Sequence, residues 1–390
     1  LLDWYLSRFS KILFEKLDTE VKIALRLGAY QILLLDRIPV RAAIHESVEM
    51  VNAARIRSAK GFVNALLRKA NRNEFEQLIA RLSLTNAYGL SLRYSHPEWL
   101  VQRWMNRFDT ETVICILEGN NRTPRTFLRL NSASLSWSEL LQALQSFGIQ
   151  LKASSLCEEI LEVERGELSQ TKVLLRHEVA IQDAASQAIA YLLRPEKTDV
   201  CLDLCAAPGG KSSQLAQLSK GRATVVALDR YWHRVRTMKI LHGERWPNLR
   251  LVVADGTQPL PLSLKFDKVL VDAPCSGTGT LGRHPEIRWK LNPTDLAVLS
   301  QLQMALLENG SAYLKPGGLL VYSTCSLEPE ENEQIIGAFL SKNPHFRLET
   351  SDDDRFVELF DQDKHFRLLP STVGSDGFFA GLLRKSSDSR

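Results

Sequence analysis

The 390-residue sequence predicts three parts: an all-α amino-terminal domain, a small α+β module, and an α/β domain with a doubly wound parallel sheet. Three observations predict this. Residues 1–85 carry apolar positions at helical spacing throughout. Residues 86–170 mix the helical and strand periods. Residues 171–390 alternate short Val/Leu runs with helical segments, the pattern of a parallel sheet covered on both faces. A chain of this length also exceeds one ordinary core.

In the first part, "DTEVKIALRLGAYQILLL" (18–35) places Val21, Ala24, Leu25, Gly28 and Ile32 on one helix face. Pro39 interrupts, a second helix follows over 40–54, and a third over 60–72. Arg55, Arg57, Lys60, Arg68, Lys69 and Arg72 occur with no acid among them. They form either a solvated helix face or a phosphate-contacting surface.

The second part predicts a helix over 96–108 with Pro97 in its first turn, a strand over 125–131, and a helix over 136–148. Ser136 and Glu139 form a capping-box pattern and Gly148 a stop. Arg122, Arg125 and Arg129 lie close together as candidates for contacting a phosphate backbone.

The third part predicts helix 178–193, strand 199–204, helix 210–220, strand 223–228, helix 230–244, strands 249–254 and 267–272, helix 294–314, strand 319–324, helix 330–341 and a closing strand over 377–385.

A hydrophobic content of 44% and a charged content of 24% are ordinary for a soluble globular protein. The net charge of +4 is only mildly basic. No apolar run is long enough for a membrane span, and no signal peptide is visible. Cys115, Cys157, Cys201, Cys205, Cys275 and Cys325 contain no C-x-x-C pair. They read as reduced thiols of a cytoplasmic protein. The eight histidines lack metal-ligand spacing, so no metal site is expected. The chain opens without a Met and inside a helix, so an incomplete amino-terminal domain is expected.

"LDLCAAPGGKSSQLAQL" (202–218) runs from a strand through a glycine-rich turn into a helix. "GKS" at 210–212 suggests a P-loop, but Cys205 stands where its first glycine belongs. A G-x-G-x-x-G fingerprint is absent. What remains is an adenosine-bearing ligand without a pyrophosphate, and S-adenosylmethionine fits. Asp203, Asp229, Asp255 and Asp272 end four successive strands, on the rim where such sheets bind ligands. Asp229 is placed for ribose hydroxyls and Asp255 for the adenine amino group.

Cys275 in "VLVDAPCSGTGTLG" and Cys325 in "LLVYSTCSLEPEENE" both lie just past strand ends on the same rim. Buried structural thiols are the bland alternative. A thiol beside a methyl donor points instead to methylation of an unactivated carbon. A thiolate adding to carbon 6 of a pyrimidine makes carbon 5 electron-rich enough to take a methyl group. The residues alone leave open which thiol attacks.

The motifs "LDLCAAPGGKS", "VVALDR", "VVADGT", "VLVDAPCSGTGTLGRHPEIRW" and "YSTCSLEPEENE", with "AIQDAASQ" before them and "GSDGFFAGLLRK" after, closely resemble the RNA cytosine-C5 methyltransferases of the Sun/RsmB/Nop family. The match covers about residues 90–385. "LRLGAYQILLLDRIPVRAAIHESVEMV" and "KGFVNALLRKANR" resemble the NusB fold.

The resemblance implies an N-terminal NusB-like RNA-binding domain (1–85), a small RNA-recognition module (86–170) and a Rossmann-like class I S-adenosylmethionine-dependent methyltransferase domain (171–390). It implies cofactor binding by Cys205, Ala206, Ala207, Pro208, Gly209, Gly210, Lys211, Asp229, Asp255 and Asp272. It assigns attack to Cys325 and product release to Cys275. The NusB-like fusion implies 16S rRNA of the small subunit as substrate, for a monomer acting away from membranes. Transfer RNA or large-subunit rRNA is one alternative, and a non-catalytic NusB-like scaffold another.

Overall fold

The computed structural model describes residues 1–131, 136–168, 171, 178–243, 245–370 and 372–387. They form two compact units, Leu1–Leu117 and Glu118–Arg390. The sequence reading divides the chain at 85 and 170 instead. The helices of 86–117 group with the amino-terminal unit, and the first strand begins only at Phe127.

The amino-terminal unit is helical, with its core on the faces that the apolar spacing selects. Val21, Ala24, Leu25, Ile32 and Leu33 of helix Thr19–Leu34 are buried with Val51, Val63, Leu66 and Leu67. Gly28 allows this close approach: a Cβ there would lie 2.5 Å from both Leu67 Cδ1 and Ser47 Oγ.

The expected helix over 60–72 is two helices, Lys60–Leu67 and Arg72–Ala80. Asn71 breaks it, because its side chain caps the second helix by accepting from Glu74 N at 3.1 Å. Arg72 leaves the proposed phosphate surface. It pairs with Asp36 at 2.6 Å and donates to the Leu35 carbonyl at the end of helix Thr19–Leu34. Arg55, Arg57, Arg68 and Lys69 stay exposed.

The second unit holds two sheets. In the smaller, β1 (Phe127–Leu130), β2 (Gln150–Ala153), β3 (Leu161–Arg165) and β4 (Val179–Ile181) pair antiparallel in the order β2-β3-β1-β4. Helix Trp137–Ser146 carries the expected capping box between Ser136 and Glu139.

The larger sheet comprises β5 (Val200–Asp203), β6 (Thr224–Asp229), β7 (Leu249–Val253), β8 (Phe266–Asp272), β9 (Leu314–Thr324), β10 (Phe346–Glu349), β11 (His365–Leu368) and β12 (Phe378–Lys385). The order is β7-β6-β5-β8-β9-β12, with β10 and β11 both pairing β12. β5 to β9 run parallel and β12 is antiparallel to its neighbours.

Successive residues Cys201 and Leu202 enter cores on opposite faces, as a doubly covered strand requires. Helices Ala184–Leu193 and Gly210–Leu218 supply Ala188, Leu192 and Leu215 to one face. Helices Pro293–Ala312 and Glu333–Lys342 supply Leu306, Leu307, Ile336 and Phe339 to the other.

Four expectations need correction. The helix over 178–193 is a strand and then a helix. Val179–Ile181 pairs with β1, and Asp183 caps helix Ala184–Leu193 by accepting from Ala185 N at 2.9 Å. The helix over 230–244 is Trp232–Met238 continued by a π-turn at Lys239–Gly243. The helix over 330–341 starts at Glu333 after a 3₁₀ turn at Pro329–Glu331. Strands β2, β3, β10 and β11 are short and were not expected. Among the described residues no helix is long and apolar enough to cross a membrane.

Arg129 also departs from expectation, because it is 3% exposed and its guanidinium is turned into the protein. Its guanidinium donates to Gln182 Oε1 (2.9 Å), Asn131 Oδ1 (3.3 Å), Gln217 Oε1, Gly210 O (3.2 Å) and Ser213 Oγ (2.7 Å). All five N–H donors are used on neutral acceptors, which bind β1 to helix Gly210–Leu218. Burial pushes its pKa down to about 9. Arg129→Lys keeps the charge but satisfies at most three of the five acceptors, so it is expected to destabilise the fold by about 2–4 kcal/mol. Urea unfolding followed by tryptophan fluorescence measures this. An unshifted midpoint would remove Arg129 from its structural role.

Candidate active site

Strand order reverses between β5 and β8, and in such sheets the crevice opens at the carboxyl ends of those two strands. Asp203 ends β5 and Asp272 ends β8. The turn after β5 is tied to the sheet by Ala206 N donating to Leu228 O at 2.8 Å, and closes with Gly209 N donating to Ala206 O at 2.7 Å. Gly209 has φ +100°, and a Cβ there would lie 2.8 Å from the His242 ring.

A cavity of about 920 Å³ opens above this turn. That is room for a nucleoside-sized ligand and a second ring. Its walls include Cys205, Ala206, Ala207, Pro208, Gly210, Lys211, Asp272 and Cys325, which brings together most of the residues expected at the site. Gly209 shapes the turn from behind.

Asp229 and Asp255 stand outside this lining: Asp229 ends β6, while Asp255, expected to end a strand, lies two residues past β7 because that strand stops at Val253. Asp229 Oδ1 accepts from Tyr231 N at 3.0 Å, and its Oδ2 lies 3.4 Å from Arg234. Asp255 Oδ1 accepts from Thr257 N and Oγ1, and its Oδ2 lies 3.5 Å from Arg230.

The charges in the crevice are interlocked. Lys211 Nζ donates to Asp272 Oδ2 at 2.8 Å, and Ser323 Oγ donates to Asp272 Oδ1 at 2.7 Å. Burial pushes the Lys211 pKa down, but Asp272, with Cys325 and Asp203, outweighs it and the net shift is upward. The ammonium therefore stays charged. Burial lifts the Asp203 carboxyl to about 7 against the hydrogen bond from Ser212 Oγ at 2.6 Å, and the Asp272 charge adds to the rise.

Opposite, Arg283 clamps Asp183 at 2.8 Å and Asp376 at 3.0 Å. Burial and the Asp183 charge lift Asp376 to about 7. Asp183 and Asp376 line the cavity, and sequence reasoning placed them in motifs without giving them roles.

The two cysteine turns meet because β8 and β9 are parallel neighbours in register, Asp272 beside Ser323. Cys275 Sγ lies 3.3 Å from Cys325 Sγ. Gly279 N donates to Cys325 O at 2.9 Å, and a Cβ on Gly279 would come within 2.3 Å of Gly377 O. No other residue fits this crossing.

Glu331, fully buried, accepts from Ser276 N (2.8 Å), Ser276 Oγ, Ser326 Oγ and Gln303 Nε2 (2.9 Å). It thus joins the residue after Cys275 to the residue after Cys325. The sequence reading assigned Glu331 to a helix. The available signal was an acid-rich run, "LEPEENE", directly after a cysteine turn. The hydrogen bond to Cys325, then burial and the Cys325 and Glu331 charges, hold the Cys275 thiol well above its ordinary pKa. Either sulfur can donate in this contact, and the surroundings favour the neutral thiol at Cys275.

Asp361, Asp363 and His365 also bring ligand-type atoms within 4.8 Å of one another. Asp361 is already committed there, to Arg367 Nε at 2.7 Å and to the backbone N–H groups of Asp363 and His365. The cluster stabilises its own turn.

A nucleoside-bearing cofactor with an amino-acid end fits the crevice on donor chemistry. The strand-end carboxylates suit hydroxyl and ammonium groups, while Lys211 and the amino end of helix Gly210–Leu218 suit a carboxylate. The turn is also open toward the cavity, since a Cβ on Gly210 would meet nothing nearer than Gln182 at 3.5 Å.

Comparison with known proteins agrees with this geometry. The 16S rRNA methyltransferase RsmB/F family pattern matches residues 190–384, the NusB family pattern 1–72, and the ferredoxin-like domain of RsmF/B-like methyltransferases 96–168. The probable ribosomal RNA small subunit methyltransferase B of Bacillus subtilis is 35% identical over 93% of this chain and 82% of its own length. Ribosomal RNA small subunit methyltransferase B of Cronobacter sakazakii is 32% identical over 98% and 87%. The crystal structure of PH0851 superposes with a TM-score of 0.81 at 27% identity, covering 98% of this chain and 86% of that one. On its fold, its crevice and these matches, the chain belongs to the RsmB/F family of small-subunit rRNA methyltransferases, with a NusB-family domain and a ferredoxin-like domain ahead of the catalytic sheet.

Proposed function

We propose that the chain methylates carbon 5 of a cytosine in 16S rRNA through a covalent adduct between Cys325 and carbon 6. The observation that carries this reading is the pair of thiols 3.3 Å apart, one of them on the wall of the crevice. Methylation of an oxygen or an exocyclic nitrogen needs neither sulfur. S-adenosylmethionine supplies the methyl group, held by Cys205, Ala206, Ala207, Pro208, Gly209, Gly210, Lys211, Asp229, Asp255 and Asp272. For Asp229 and Asp255 that role requires Arg234 and Arg230 to release them.

The target base must leave its stack to bring carbon 6 to a sulfur inside a crevice. The Cys325 thiol gives its proton to solvent, and the thiolate adds to carbon 6, forming the S–C bond and moving the ring double-bond pair onto carbon 5, which then takes the methyl group as the donor's sulfur–methyl bond breaks. The largest cause holding Cys275 protonated is its hydrogen bond to Cys325, and it is removed once that sulfur is bonded to carbon. With that bond gone the Cys275 proton passes to solvent, a step that burial and the Glu331 charge still oppose, and the thiolate accepts the carbon 5 proton. The released electron pair restores the ring double bond and expels Cys325. A non-catalytic scaffold is overturned by membership of a methyltransferase family.

The two thiols make opposite predictions. Cys275→Ala should accumulate a protein–RNA adduct that survives denaturing electrophoresis, and Cys325→Ala should form none and lose methyl transfer. Reversed outcomes would exchange the roles.

Glu331 gives a second test. Glu331→Gln removes the charge and leaves one accepting oxygen where two served, so the tie between the turns is weakened. A loss of about 2–3 kcal/mol in urea unfolding is expected. Adduct formation in the Cys275→Ala background should also slow about tenfold or more. Unchanged adduct kinetics would separate Glu331 from thiol positioning.

A further inference from the structure

We propose that the segment following β6 is a stacking ledge for single-stranded RNA next to the target base, with Trp232 as its platform. The inference rests on the RNA-methylation reading above and adds a surface to it.

The segment has two faces. On the inner face, Val235 and Met238 are buried, Arg234 Nη2 donates to Ala207 O at 3.0 Å, and Leu241 and His242 line the cavity. The segment is therefore part of the crevice wall. On the outer face Trp232 is 67% exposed and Ile240 68%.

Arg236 and Lys239 follow Trp232 at one and two helical turns, so they share its face, and both are exposed. From 230 to 243 the sequence carries Arg230, Arg234, Arg236 and Lys239 and no acid. Single exposed apolar residues are ordinary. A Trp and an Ile set beside Arg236 and Lys239 on the rim of a crevice are not scattered singly, whereas Arg230 and Arg234 are already paired with Asp255 and Asp229.

The neighbouring aromatic is already occupied: Tyr231 lies under Arg230 at 6.0 Å and beside His233 at 5.7 Å. Among the described residues no ring, hydrogen bond or ion pair engages Trp232. A free indole face beside cations complements a polyanion carrying flat apolar rings, which is single-stranded nucleic acid. A cytosine drawn into the crevice also brings its flanking nucleotides across the rim. Trp232 stacks a base while Arg236 and Lys239 meet phosphates, contacts that position without specifying sequence.

The test uses the full chain with an in vitro transcribed 16S rRNA fragment and S-adenosylmethionine. Trp232→Ala should raise KM for RNA by about 5- to 150-fold, the range for one lost base stack. KM for S-adenosylmethionine should be unchanged. Trp232→Phe should restore RNA affinity to within about threefold, because a phenyl ring also stacks. A single-stranded oligonucleotide should quench tryptophan fluorescence in the unsubstituted protein and quench it less in Trp232→Phe. The same sequence as a duplex should not produce that difference. Wild-type KM and undiminished quenching in the variants would assign this face to another partner and overturn the proposal. If no form of the protein methylates RNA, the methylation reading fails, and the quenching experiment still decides the ledge.

Discussion

The crevice depends on one buried carboxylate. Glu331 has no cation against it among its hydrogen-bond partners. Its charge is met by a backbone N–H, two hydroxyls and an amide. Such a group is costly to bury and costlier to disturb. Its four donors come from the turn after β8, the turn after β9 and helix Pro293–Ala312, so the position of each turn is defined relative to the other. Parallel pairing of β8 and β9 brings the turns to the same edge, but it does not set a sulfur–sulfur distance. The Glu331 network and the Gly279 crossing do.

The same carboxylate enters the chemistry. Its charge helps keep Cys275 protonated, while Cys325 faces the cavity and the field of Lys211. Two chemically identical thiols of similar, intermediate exposure are made different by their surroundings, since Cys325 lines the ligand space and Cys275 stands outside that lining. Burial lifts two carboxyls of this crevice, Asp203 and Asp376, to about 7. Lys211 and Arg283 are the cations that offset them.

Much of this was legible in the sequence, and the legible part has a common cause. β5, β6 and β8 are continuous apolar runs ending in Asp, since a strand buried on both faces and facing a ligand at its end admits little else. The capping box at Ser136 and the glycine turn before Gly210 are local rules read locally. The features that escaped it depend on distant partners. Val179–Ile181 looks helical by itself and is a strand because β1 needs an edge partner. Arg129 looks like a surface cation and is buried because four acceptors from other segments, with its near neighbour Asn131, converge on it. Glu331 sits in an acid-rich run that reads as the start of a helix, and only the fold reveals that Ser276 and Ser326 surround it. Asp229 ends β6 as expected and Asp255 lies two residues past the end of β7, but their first partners, Arg234 and Arg230, were invisible to spacing.

Arg129 and Gln182 show how much such distant partners accomplish. Gln182 Oε1 accepts from Arg129 and its Nε2 donates to Gln214 Oε1 at 3.0 Å, while Arg129 reaches Gly210, Ser213 and Gln217 on the same helix. The small sheet is thereby fastened to the first helix of the large one, at the turn that forms the crevice floor. Because every acceptor is neutral, the guanidinium's charge is spread over dipoles rather than cancelled by a carboxylate. Rotating β1 against helix Gly210–Leu218 would strip several of these bonds at once and leave a buried cation without solvation. Within the Glu118–Arg390 unit, therefore, the two sheets act as one rigid support, and the β4–Asp183 segment that lines the cavity is held at a fixed distance from the glycine turn.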